Sequence, residues 1–537
     1  MNKIVCSRKR SASPKSRSLL LRNVAVSVLV VVAVIGCGGG GGGYYEPDPP
    51  PTEVVFIRVD KATALDGDSV TISWKVVGPG QRQGSDYCYL ALRYQHQEVE
   101  GLGEVECEDN RSLTLAFPEG SGYVRFSVET TDRSDSSAVV LDFVTVNLDT
   151  FTSPSWQTTF GTPGHDGVRS TTIDLDGNVI VVGATDGNLS RPTFGLSDAF
   201  VRKYSIDGTL LWEDQFGTSS HDEALAVGVD GYGNIFVGGR VDGPLGGTHY
   251  GYNDAFLRKY DAAGQVLWSR QFGTTENDAV TDLAVFANGD VVVVGTTFGP
   301  LVEPGLEASG FVRFYSYDGT EGWTVELRDD VPNDAFSVAI DRQNNIYVGG
   351  TYSSLDYENE RSNAYLTQLD YWGNVWWSAF FGAAGYDTLS DVVIGSDDTL
   401  YVAVESSEWN YVGATWATVH SVTTSGFVNW STNIYTDSSA QLMALPRLAF
   451  AADGELLFSA TRNESLFDEP SYPFIGALNA TGEIMWTREL GLAGWETLPS
   501  DIAAASDGGI VVVGSTDMGF EGEVLNYIDA FIIRLGD

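Results

Sequence analysis

The chain has 537 residues, 72 of them acidic against 31 basic, for a formal net charge of −41. That balance excludes polyanionic partners: nucleic acid and anionic lipid surfaces would be repelled. The length exceeds what one ordinary core organises, so several domains or a repeat array are expected.

Lys3, Arg8, Lys9, Arg10, Lys15, Arg17 and Arg22 precede the apolar run Asn23 to Gly36. This is the basic-then-apolar order of a secretory signal, and the run is too short to span a bilayer. Its end, Val34-Ile35-Gly36-Cys37, resembles the lipobox of bacterial lipoproteins. The resemblance implies removal of residues 1–36 and acylation of Cys37. Gly38 follows the cysteine where an Asp would signal inner-membrane retention, which implies the outer membrane, on its periplasmic or its outer side. More than one acyl chain makes such an anchor stable. Residues 37–53 hold six glycines and then a proline-rich stretch, a tether that is flexible first and extended after. Cys6 leaves with the signal, so Cys88 and Cys107 remain to form a disulfide in an oxidising compartment.

Residues 54–149 read as about seven short alternating strands. In "SVTISWKV", Val70, Ile72, Trp74 and Val76 share one face and Thr71, Ser73 and Lys75 the other. A small immunoglobulin-like β-sandwich is expected, serving as spacer or adhesion module.

From residue 154 to 537 the sequence repeats. Trp156, Trp212, Trp268, Trp323, Trp377, Trp430 and Trp486 follow one another at intervals of 56, 56, 55, 54, 53 and 56 residues. Between them recur Phe-Gly-Thr, a loop ending in Asp, a hairpin turn such as Asp176-Gly177-Asn178, a wholly apolar strand such as "VIVVGAT", and "DAF" followed by a second turn. Each unit therefore holds four strands. Strands apolar on both faces predict sheets stacked face to face around an axis. The segments "FGTPGHDGVRSTTIDLDGNVIVVGAT", "DAFVRKYSIDGTLLW" and "NDAFLRKYDAAGQVLW" resemble the bacterial seven-bladed β-propeller (SBBP) repeat family. That resemblance implies an all-β, seven-bladed propeller in an extracytoplasmic setting and no agreed chemistry. The last unit ends without its Trp strand, so "SPSWQTTFG", Ser153 to Gly161, is expected to close the ring against residues 529–535.

The chemistry-bearing candidates are few. Asp166, Asp222, Asp278, Asp334 and Asp387 end the recurring loops, so five carboxylates are expected to ring the channel mouth; each caps its own loop or helps hold calcium. No other cofactor is expected. The dyads His165-Asp166 and His221-Asp222 are not repeated in later units. Tyr352, Tyr357, Trp409, Tyr411, Phe467 and Tyr472 lie in the variable connections among acids and amides, where rings stack on sugars or anchor protein partners. No nucleophile elbow or phosphate-cradling loop is present. The reading is of a lipid-anchored, non-catalytic binding or scaffold module working through its top-face loops, with a glycan or a surface protein as partner. The alternatives are a glycan or phosphoester hydrolase using channel carboxylates, and a scaffold similar to the lipoprotein propeller of outer-membrane protein assembly.

Overall fold

The computed structural model describes residues 155–536 apart from 303–308, 328–332, 354–361, 383–384, 408–414, 438–444, 453, 464–470, 491–496 and 519–523. Before residue 155 it describes nine strand segments between Leu29 and Leu148. The chain divides into two compact units, Met1–Thr150 and Phe151–Asp537.

The first unit holds two antiparallel sheets. In one, Leu29–Ile35, Thr52–Val59, Val70–Val77 and Arg111–Leu115 lie side by side. In the other, Tyr87–Tyr94 is flanked by Gln97–Glu98, Glu104–Glu106 and Gly122–Thr131, and Ala138–Leu148 completes the sheet. This is an all-β unit, and an immunoglobulin arrangement is not among its described features. Two expectations are corrected here. Leu29–Ile35, inside the run read as a secretory signal, is a strand paired residue for residue with residues 52–58. Its β-branched composition, "LVVVAVI", suits a pleated ladder. The lipoprotein reading of Cys37 goes with the signal, and Cys37 itself lies outside the described residues. The expected disulfide falls as well: Cys88 stands opposite Val105 in its ladder, Cys107 lies outside the described residues, and no disulfide occurs among the described ones.

The second unit is a series of four-stranded antiparallel sheets resembling propeller blades. The first is Asp166–Ile173, Val179–Thr185, Asp198–Tyr204 and Leu210–Phe216, paired in that order. The second runs from Asp222 to Phe272 and the third from Asp278 to Leu327 in the same way. The fourth (Asn333 to Phe381) and fifth (Tyr386 to Asp437) are joined by one parallel pair, Ser362 opposite Tyr386. Arg447 to Glu489 forms the sixth. In the seventh, Leu498–Ala504, Ile510–Met518 and Val524–Leu535 take their fourth strand from Trp156–Phe160. There Trp156 stands opposite Arg534 and Phe160 opposite Ala530.

Burial explains the composition of each position. Val179–Thr185 and Val291–Thr297 are buried along nearly their whole length, which is why alternation is lost there. Adjacent sheets share cores: Val182, Val201 and Phe216 of the first sheet pack with Ala224, Val237 and Tyr260 of the second. The first strand of every sheet lies against the first strand of the next, and Leu498–Ala504 lies against Asp166–Ile173. Six of them carry a bulge, between Val168 and Ser170 in the first sheet and between Val280 and Asp282 in the third, for example. A bulge sharpens the local twist and re-aims the residue that follows.

Candidate functional site

Two sets of carboxylates emerge from this frame. One sits in a single residue layer of the first strands, just after the bulge in six of them and at the matching place, Arg447, in the unbulged sixth sheet; successive sheets contribute Ser170, Ala226, Asp282, Ser337, Asp391, Arg447 and Asp501. Asp501 accepts hydrogen bonds from Thr171 N at 2.8 Å and Ser170 Oγ at 3.0 Å. Asp282 accepts from Val338 N at 2.8 Å. Asp391 accepts from Leu448 N at 2.7 Å and Ser337 Oγ at 2.9 Å. Arg447 donates to the carbonyls of Ser390 and Ser500, its neighbours on either side. Each Asp thus ties its sheet to an adjacent one.

Asp282, Asp391 and Asp501 are half-buried as whole residues. Burial raises Asp282 to about 7; the bonds from Val338 and Leu283 and the charge of Arg447 oppose the rise, and Asp391 adds to it. Burial raises Asp501 to about 6, with Arg447 the strongest opposing influence. Sequence reasoning missed the layer. Its signal was a fixed offset: Asp282 and Asp391 stand four residues after the loop aspartates Asp278 and Asp387.

The second set contains the loop aspartates themselves. Each lies at its own junction between neighbouring sheets. Asp166, Asp222 and Asp278 are buried and accept from the backbone N–H and hydroxyl of Thr162, Thr218 and Thr274 respectively. Asp387 is buried too and accepts from Ser406 Oγ. In the fourth sheet the corresponding residue is Asn333, opposite Tyr352, and Asp334 falls one place later, opposite Thr351. The spacing held the correction: Asp166, Asp222, Asp278, Asn333 and Asp387 each follow the repeat Trp by ten residues.

Beside three of these stands a second acid that sequence reasoning passed over, the Asp of the "DAF" motif. A methyl group built on Gly217 would meet Asp222 Oδ2 at 2.6 Å and Asp198 Oδ1 at 2.7 Å. One on Gly273 would meet Asp254 Oδ1 at 2.7 Å and Asp278 Oδ2 at 2.8 Å. Gly161 stands likewise between Asp529 and Asp166. The glycine of Phe-Gly-Thr is therefore the gap between two carboxylates. Burial, with the second acid's charge adding to it, raises Asp222 and carries Asp278 to about 6. Among the described residues, no group of three or more His, Cys, Asp or Glu side chains is arranged to hold a metal ion.

Of the aromatic candidates, Tyr352 packs edge-on against Phe380 with ring centroids 5.4 Å apart. Both line a cavity of about 250 Å³ with Tyr365, Glu326 and Asn333. Tyr472 is half-buried in the third strand of the sixth sheet, opposite Arg462. Tyr357, Trp409, Tyr411 and Phe467 lie outside the described residues.

No family model matches the chain. Over 40% of its length it is 28% identical to the regulatory protein FlaEY of Caulobacter vibrioides, covering 26% of that protein. Over 37% it is 24% identical to an uncharacterized WD repeat-containing protein of Acanthamoeba polyphaga mimivirus, covering 19% of it. The chain thus spans about a quarter or less of the curated relatives it matches. Among solved structures, a Mycobacterium tuberculosis puromycin-hydrolyzing peptidase aligns over 65% of this chain and 50% of its own, at 12% identity and a TM-score of 0.38. A Pseudomonas brassicacearum lignostilbene dioxygenase aligns over 75% and 88%, at 11% identity and a TM-score of 0.36. These likenesses concern fold alone. The expectation that the chain is more a binding module than an enzyme is not upheld: proteins described as a peptidase and a dioxygenase stand among the solved structures it resembles, a likeness that says nothing of this chain's own chemistry.

Proposed function

We propose that residues 154–537 form a closed seven-bladed propeller of the SBBP kind, and that it is a hydrolase whose proton chemistry runs in the axial layer of Asp282, Asp391, Arg447 and Asp501. What supports this reading is that Asp282 and Asp501, each within the charge influence of Asp391 and Arg447, are pushed up by burial to about 7 and about 6. Two acids whose surroundings set their titrations apart can divide the roles of proton donor and base. Asp282 stays protonated to the higher pH and suits the donor. Asp501 ionises first, helped by Arg447, and suits activation of a water. With three acids and one base in the layer, an uncharged substrate such as a glycan is favoured over a phosphoester.

The test is release of reducing ends or chromophore from a panel of glycosides and esters by the wild type, Asp282→Asn and Asp501→Asn. Each substitution is expected to lower kcat by about 10²–10⁴-fold, the span of general acid–base catalysis, with the circular-dichroism spectrum unchanged. Absence of turnover on the panel, or equal turnover by all three proteins, would overturn it.

A second reading, contact with a glycan or a surface protein through the top-face loops, is favoured by the exposure of Phe194, Tyr250, Tyr252 and Phe298 on the connections between second and third strands. A glycan-array signal that survives Tyr252→Ala would count against it.

A further inference from the structure

At three consecutive junctions, seventh to first, first to second and second to third, two acids face each other across a glycine; both are buried at the last two, Asp529 is half-buried at the first, and the one base in contact is His249, on Asp254. At the first-to-second junction Asp198 and Asp222 are both fully buried. Asp222 Oδ1 accepts from Thr218 Oγ1 at 3.0 Å and Asp242 N at 3.1 Å, and its Oδ2 from Thr218 N. Asp198 Oδ2 accepts from Phe194 N at 2.9 Å and Gln215 Nε2 at 2.8 Å. Asp198 Oδ1, which faces Asp222 across Gly217, has no hydrogen-bond partner. The second-to-third junction repeats this. Asp254 is fully buried, its Oδ2 takes Tyr250 N, Gln271 Nε2 and His249 Nδ1, and its Oδ1 points at Asp278 without a partner.

A shared proton and a bound ion are the two ways of relieving such a pair, and they differ in the spacing they need. The facing oxygens can be no farther apart than the sum of their distances to the glycine's missing methyl position, which is 2.6 and 2.7 Å at Gly217. A proton shared between the two carboxyls needs contact at about 2.5–2.7 Å. An ion bound to oxygens at about 2.3–2.6 Å from each spans a wider gap.

The third-to-fourth junction is the molecule's own control. There Ser309 takes the place of the "DAF" acid and Asn333 that of the loop acid, and the sequence has Arg328 where the glycine stood. Asn333 Oδ1 accepts from Gly310 N at 2.6 Å and its Nδ2 donates to Leu327 O. The amide supplies its own proton, and with the charge pair gone the glycine is gone too.

We propose that each of the three acid-paired junctions binds one small hard cation, calcium first, ligated by Asp198 with Asp222, by Asp254 with Asp278, and by Asp529 with Asp166. Such an ion neutralises two buried charges and ties neighbouring sheets together at the side of the ring where it closes.

Full-length protein is stripped with a chelator and titrated with calcium chloride, with sodium and magnesium chloride as parallel arms, by calorimetry and thermal unfolding. Calcium is expected to bind with a stoichiometry approaching three per chain and to raise Tm. The double variant Asp198→Ser with Asp222→Asn transplants the fourth-sheet solution. It should fold, lose one binding equivalent and lose part of the Tm rise. Response to sodium in preference to calcium would keep the sites and change the ion. No binding or Tm shift with any of the three ions would overturn the proposal. So would a double variant that binds as many ions as the wild type. Catalytic turnover is not read, so the outcome is independent of the hydrolase proposal.

Discussion

Gly217 shows what a single missing side chain does here. Its conformation is not left-handed, so backbone freedom does not explain it; two carboxylate oxygens within 2.7 Å of where a methyl would stand do. Gly217→Ala is expected to cost about 1–3 kcal/mol, the usual penalty for forcing volume into a packed site, read as a lowered midpoint in urea unfolding. An unchanged midpoint would mean the acids can part freely. The glycine was legible as a motif, and so was the Asp of "DAF", but their relation was not. Asp198 and Asp222 belong to different units, and the pair exists only once two sheets stack. Asp334 was misread for a different reason: its neighbour Asn333 carries the same shape without the charge, and only the ten-residue offset from Trp323 tells them apart.

At the scale of elements, the period of tryptophans was the most legible feature, and the structure shows why it recurs. Trp156, Trp212, Trp323, Trp377 and Trp430 each donate their indole N–H to a carbonyl in the turn between third and fourth strands of the following sheet, at 2.8 to 3.2 Å. That turn's glycine lies over the ring: Gly264, at φ 85°, would place a methyl 2.7 Å from Trp212. The Arg of the third strand adds a second clasp. Arg258 stacks 4.1 Å above Phe216 of the preceding sheet, and Arg313 stands 4.1 Å above Phe272. Buried Lys203, 2.7 Å from Asp174, adds an ion pair within its own sheet. Trp212→Phe keeps most of the ring and loses the hydrogen bond, so it should cost about 1 kcal/mol. Gly264→Ala adds a clash to left-handed strain and should cost about 1–3 kcal/mol. Urea unfolding of both variants checks the order; a larger loss for the Phe variant would mean that the ring, and not the turn, sets the junction. The strands were readable because each repeats in phase. The axial acids were not, because a bulge shifts them out of simple alternation.

For the whole molecule, on the propeller reading proposed above, stability depends on how the first and last segments pair and on what the buried acids do with protons. Trp156–Phe160 contributes the fourth strand of the last sheet from 375 residues away, and Arg534 holds it with a bond to Ser155 Oγ at 3.2 Å. Deleting residues 153–161 bares the edge of Val524–Leu535, a strand of 12 residues, and should produce a lower Tm and aggregation; unaltered solubility and Tm would show that closure is not needed. The pH profile follows from Asp282 and Glu405, both raised to about 7, and from Asp278 and Asp501, raised to about 6, with burial the leading cause in each. In the unfolded chain such carboxyls titrate near 4, so between about pH 4 and 7 the folded protein holds protons that the unfolded chain has released. Stability must therefore fall as pH rises through that window and level off above it. Acids with lowered values, such as Asp174 and Asp507, act in the opposite sense but below the unfolded value, outside the window; inside it His420, lowered to about 4 by burial, opposes the fall as one group against the four acids. Thermal unfolding of the chelated protein should give a higher Tm at pH 5 than at pH 8. Asp501→Asn, which removes one of the four charges for good, should make the difference smaller. If Tm instead rose toward pH 8 in the absence of any added cation, the buried acids would be ionised and compensated by groups other than those facing them.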